Sequence, residues 1–136
     1  MRYFTPEEAN AALVEIRPLI QRLVEARRVS TGLEERLGAV RARVLGNGGG
    51  LDPARVEKLQ AKAMEAARTV LELADELDER GIQVKDLDSG LIDFPARHPD
   101  GSVVLLCWQL GEDEIRFWHT LDGGFRGRKP LPFGRT

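Results

Sequence analysis

Asp86, Asp88, Asp93, Glu112 and His119 are the residues of this chain whose types and spacing could do chemistry together. Asp86 and Asp88 stand two apart, so their carboxylates project to one side if the stretch is extended. Asp93 interrupts the apolar run Leu91-Ile92-Asp93-Phe94-Pro95, where an acid needs a partner or must face water. His119 follows the alternation of Ile115 and Phe117. Three carboxylates and one imidazole, from Asp86, Asp88, Asp93 and His119, would suit a hard divalent ion such as Mg2+ or Mn2+. The same groups could supply a general acid and base for hydrolysis. Each also has an ordinary structural explanation. Asp86-x-Asp88-Ser89-Gly90 is good turn chemistry, in which carboxylates bond their own backbone. Asp93 could pair with Arg116 or Arg128, and a single histidine on a sheet is usually structural. A calcium loop is excluded because the later acidic position is missing.

Three further features invite the same weighing. Cys107 lies beside Trp108 in an apolar run, where burial would raise its pKa and leave it inert. Trp108 and Trp118 read as core. Gly123-Gly124-Phe125-Arg126-Gly127-Arg128 could cradle an anion with backbone donors and with Arg126 and Arg128. It lacks the lysine and following helix of a phosphate loop, so a tail that anchors back onto Asp86, Asp88 and Asp93 is the favoured reading.

The elements that must position these groups are legible in the hydropathy pattern. Thr5-Pro6-Glu7-Glu8 is a helix start, with Thr5 as cap, Pro6 at the first position and Glu8 closing a capping box. Apolar residues recur in steps of three and four at Leu13, Ile16, Ile20 and Leu23, then at Leu33, Leu37, Val40 and Val44. Between them the stripe passes through Ala26 or Arg27, then Ser30, and is weak. Gly46 to Gly50 reads as a flexible turn that no helix continues through. Asp52-Pro53 restarts a helix whose stripe is Val56, Leu59, Ala63, Ala66, Val70, Leu73 and Leu77, and Gly81 stops it. The two helices, about 5–45 and 53–80, fold into an antiparallel hairpin that pairs positions whose numbers add to about 99 or 100. The second helix then ends opposite Leu19 or Ile20, and the first overhangs by roughly 20 Å. Pro18 marks that place and predicts a kink. The overhang carries Ala9, Ala12, Leu13 and Ile16, which must bury against the C-terminal third of the chain.

That third reads as an antiparallel β-meander of three to four strands over 81–121: Ile82–Lys85, Leu91–Pro95, Ser102–Leu110 and Glu114–Thr120. The turn His98-Pro99-Asp100-Gly101 separates the middle two. Val103–Trp108 has no polar side, so it should be a central strand covered on both faces. Residues 122–136 read as an irregular tail with four basic residues, Arg126, Arg128, Lys129 and Arg135. The fold class is α+β in one domain.

Two stretches carry a family resemblance: the opening FTPEEAN, and GIQVKDLDSGLIDFPA followed by VLLCWQLGEDEIRFWH and GFRGRKPL. Together they resemble a family of small bacterial proteins catalogued as domain of unknown function 2203. The resemblance spans nearly the whole chain, its specific part being the C-terminal half. It implies the architecture and no particular activity.

Composition narrows the function classes. A net charge of −2 and a pI near 5.8 are not the footprint of a nucleic-acid binder, although the basic tail keeps that as a third, weaker reading. One cysteine allows no intramolecular disulfide and no four-thiolate zinc site. No stretch resembles a signal peptide or a membrane span, so a cytoplasmic protein is expected. No catalytic signature is present. The expected function is a non-enzymatic interaction or scaffold module that self-associates as a homodimer through the hairpin. Another protein is the alternative partner. The alternative function is a small divalent-metal-dependent hydrolase or ligand-binding protein using the Asp/Glu/His cluster.

Overall fold

The computed structural model describes residues 2–47 and 52–134. Helix α1 spans Pro6–Asn47 and α2 spans Pro53–Glu79. Five strands follow among the described residues: β1 Gln83–Asp86, β2 Leu91–Arg97, β3 Val103–Gln109, β4 Phe117–Thr120 and β5 Lys129–Pro130. They form one antiparallel sheet in chain order, with β3 at its centre. The class is α+β. The sheet exceeds the expected meander by β5, which forms inside the stretch read as irregular tail. The turn expected at 46–50 falls mostly, and Arg135 wholly, outside the described residues.

Local chemistry explains the helix ends. The Thr5 N–H donates to Glu8 Oε1 and the Glu8 N–H to Thr5 Oγ1, both at 3.0 Å, which is the reciprocal capping box. Those bonds hold the Glu8 carboxyl below its usual range. Asp52 caps α2 by accepting from the Ala54 N–H at 3.1 Å, with Pro53 in the first turn. Gly46 and Asn47, expected to end α1, are helical. Glycine costs a helix only about 1 kcal/mol, less at a fraying end, so α1 runs on through both.

Two apolar clusters hold the molecule together. In the larger, Ala9, Leu13, Ile16, Ile20 and Leu23 of α1 meet Leu73 and Leu77 of α2 and the inner face of the sheet: Ile92, Phe94, Ala96, Val104, Leu106 and Trp108. The overhanging start of α1 is thus the helix wall of the sheet. Asn10 locks it there, donating to the Ile115 carbonyl at 3.3 Å and accepting from its N–H at 2.6 Å. The smaller cluster, Leu33, Leu37, Leu59 and Ala63 with Val40 and Val56 beside it, holds the outer half of the hairpin. Among them, Leu37 with Ala63 and Val40 with Leu59 are pairs that the folded-back alignment brings level.

The β1–β2 turn docks on α1. Gly90 has φ +71, and a Cβ there would lie 2.9 Å from both Ile20 Cγ2 and Leu110 Cβ. Only glycine satisfies both the left-handed backbone and that contact. No helix among the described residues is long and apolar enough to cross a membrane.

Candidate functional site

The face of the sheet turned away from the helices carries the polar chemistry. Residues of one face alternate along each strand, so the register decides which side chains meet. The β2–β3 register sets Asp93 opposite Cys107. The β3–β4 register sets His119 opposite Leu105, two residues from Cys107 on the same face. Asp93, Cys107 and His119 therefore converge from three adjacent strands. One ligand-type atom from each lies within 4.8 Å of the others. All three are sealed from solvent, at 1%, 1% and 3% exposure.

His119 is the hinge of the cluster. Its Nδ1 lies 2.7 Å from the Thr120 carbonyl, which can only accept, so Nδ1 carries a proton. Its Nε2 then faces the Asp93 carboxylate, 3.1 Å from each oxygen, with a proton shared between them. Burial pushes the Cys107 thiol up to about 12, and the Asp93 charge beside it adds to the rise. The buried thiol is thus held in its protonated form. It is nevertheless a member of the polar cluster, because the register turns its side chain to the face of Asp93.

A strap covers this face. Residues 121–128 pass over it and border a half-open cavity of about 200 Å3, lined by Asp93, His119, Lys85, Leu91, Asp122 and Phe125 among others. Arg128 fastens the strap. It donates to Glu112 Oε1 and Oε2 at 2.7 and 2.9 Å and to the Cys107 carbonyl at 3.3 Å. Its guanidinium stacks 4.1 Å from the Phe117 ring centroid and 4.7 Å from that of Phe125. Glu112 also accepts from the Gln109 N–H at 2.7 Å. This carboxylate organises the β3–β4 turn and binds the strap.

The structure thus divides the five predicted site residues. Asp93 and His119 come together. Asp86 instead accepts from the Ser89 hydroxyl at 2.7 Å and the Asp88 N–H at 3.2 Å, and those bonds hold its carboxyl below the usual range. Asp88 pairs with Arg27 of α1 at 3.1 Å. Glu112 pairs with Arg128. A hard-ion site built on Asp86, Asp88, Asp93 and His119 is therefore not assembled. Asp93 pairs with neither suggested arginine, since Arg116 bridges to Glu114 at 3.2 Å. Of the two anion-contact candidates, Arg128 is committed to Glu112, and Arg126 sits in the exposed 3-10 turn Phe125–Gly127. The strand expected at Glu114–Thr120 begins only at Phe117. Ile115 consequently packs in the inner core with Trp118 and does not share the face of His119.

Cys107 was legible in principle. A turn centred on Asp100 sets residue 93 across from residue 107, and only the apolar look of the β3 run concealed the pairing.

Comparison with known proteins bears on the whole chain. The profile of the family described as "Uncharacterized conserved protein (DUF2203)" matches residues 2–131. The chain belongs to this family. The match spans the hairpin, the Asp93–Cys107–His119 cluster and the strap, so the DUF2203 unit comprises all the parts described above. No curated protein and no solved structure gave a significant match.

Proposed function

We propose that this DUF2203 protein is a non-enzymatic interaction or scaffold module that self-associates through its helical hairpin. The observation that carries this reading is the outer half of the arm. Its own core is four buried residues, two of them at 8–9% exposure. Beside it runs an open groove lined by apolar Ala26, Val29, Leu33 and Ala66 and by Arg36, Lys62, Glu65 and Thr69. Two helices alone bury little, and a second hairpin laid on this groove would complete a four-helix bundle.

Charge favours a second copy as the occupant. The first half of α2 carries Arg55, Lys58 and Lys62 against Glu57. Its second half carries Glu65, Glu72, Asp75, Glu76, Asp78 and Glu79 against Arg68. This order runs against the helix dipole, which favours acids at the start and bases at the end. An antiparallel partner with the same order sets the basic half of each α2 over the acidic half of the other. The arrangement is a twofold interface, in which one patch meets itself. A cytoplasmic location belongs to the same reading, as the single buried thiol suits a reducing compartment.

Sedimentation velocity tests the proposal. A dimer is expected at micromolar concentration, with Lys58→Glu/Lys62→Glu dissociating it and Glu65→Lys/Glu72→Lys re-forming a mixed dimer with that variant. A monomer across the micromolar range ends the proposal.

A further inference from the structure

We propose that Asp93, Cys107 and His119 form a three-ligand site for a borderline divalent transition-metal ion, with Zn2+ the first candidate. The site lies on the sheet and is independent of the hairpin reading.

The donor set is the first argument. One carboxylate, one thiol and one imidazole converge, with one ligand atom from each within 4.8 Å of the others. In tetrahedral zinc, with bonds of about 2.0–2.3 Å, neighbouring donors sit roughly 3.3–3.6 Å apart. The Nε2-to-carboxylate spacing is already 3.1 Å. The sulfur needs to close by at most about 1.3 Å, within reach of a single side-chain rotation. Sulfur and nitrogen donors select zinc or cobalt over magnesium or manganese. The chemistry therefore departs from the hard ion expected from carboxylates alone.

A second observation comes from outside the cluster. The Thr120 carbonyl holds Nδ1–H at 2.7 Å, so the nitrogen left for a metal once the shared proton departs, Nε2, is the one that points at Asp93. Metal-bound imidazoles are oriented in the same way, by a backbone carbonyl on the far nitrogen. The cavity beneath the strap reaches Asp93 and His119 and supplies both an entry path and room for a water as fourth ligand.

The charge balance closes. Binding releases the thiol proton and the proton shared by Nε2 and the carboxylate. The thiolate and carboxylate then offset the two charges of the ion, leaving the buried site neutral. The raised pKa of Cys107 makes the free thiol inert, and a bound cation reverses that preference.

The test uses the whole chain washed with chelator and titrated with Zn2+ and Co2+ in weakly buffered solution. One ion per chain is expected, with the thiol proton and the shared proton both released. Co2+ should give a thiolate-to-cobalt charge-transfer band, assignable to Cys107 because the chain has no other cysteine. Cys107→Ser should abolish the band and weaken Zn2+ binding at least about tenfold, with circular dichroism reporting the fold. If that variant does not fold, the cobalt band of the native chain decides. No binding at about 100 μM Zn2+, binding without the band, equal affinity in a folded Cys107→Ser variant, or equal affinity for Mg2+ would each overturn the proposal.

Discussion

Replacing Asp93 by alanine in metal-free protein is the most informative perturbation of the buried cluster. The carboxylate accepts from His119 Nε2 with both oxygens at 3.1 Å, and both side chains are sealed. Its removal deletes a charge-assisted hydrogen bond, worth about 1.5–3 kcal/mol. It also leaves Nε2 with no acceptor in a site that water reaches only through the cavity. Breaking a buried pair from one side costs about 3–5 kcal/mol, and we take ~3 here because the cavity lets some water in. At this chain length that lowers the melting temperature by about 10 °C. Urea unfolding followed by circular dichroism measures the loss. His119→Phe and the double variant complete a cycle whose coupling should be about 2 kcal/mol. A loss below ~1 kcal/mol for Asp93→Ala, or additive single effects, would refute the account of Asp93 and His119 as one unit.

Three other outcomes rest on the packing and on the raised pKa of Cys107. Gly90→Ala combines a left-handed backbone with a Cβ 2.9 Å from Ile20 Cγ2 and Leu110 Cβ. It should destabilise by ~2–4 kcal/mol in the same urea assay, against a few tenths for a substitution at an open site. The Cys107 thiol should resist alkylation in the folded chain and react on unfolding. Its pKa is higher folded than unfolded, so its contribution to stability is whole below about pH 9 and is lost as pH rises toward 12. Between those values the slope is one proton, ~1.4 kcal/mol per pH unit. Cys107→Ala should remove that part of the alkaline limb in urea midpoints measured from pH 8 upward, and an unchanged limb counts against the buried thiol.

Much of this molecule is readable from the chain because the signals are local. Thr5, Pro6 and Glu8 specify a helix start within four residues, and Asp52 and Pro53 do the same for α2. The stripes of the hairpin repeat every three or four residues, so its pairing is set by a short linker. Even the burial of the first turns of α1 is dictated this way, since apolar residues without a helical partner must meet the sheet. The polar site is different, since Asp86 and Asp93 look alike as acids near strands. Asp86 falls in a turn and bonds its own backbone. Asp93 falls at an outward-facing register position that the strap from 121 to 128 then closes over. A one-residue slip of β3 would have turned Cys107 into the helix-packed core. The meeting of Asp93, Cys107 and His119 therefore belongs to the tertiary structure: it depends on two strand registers and a covering segment, and each couples residues too far apart in the chain for local periodicity to relate them.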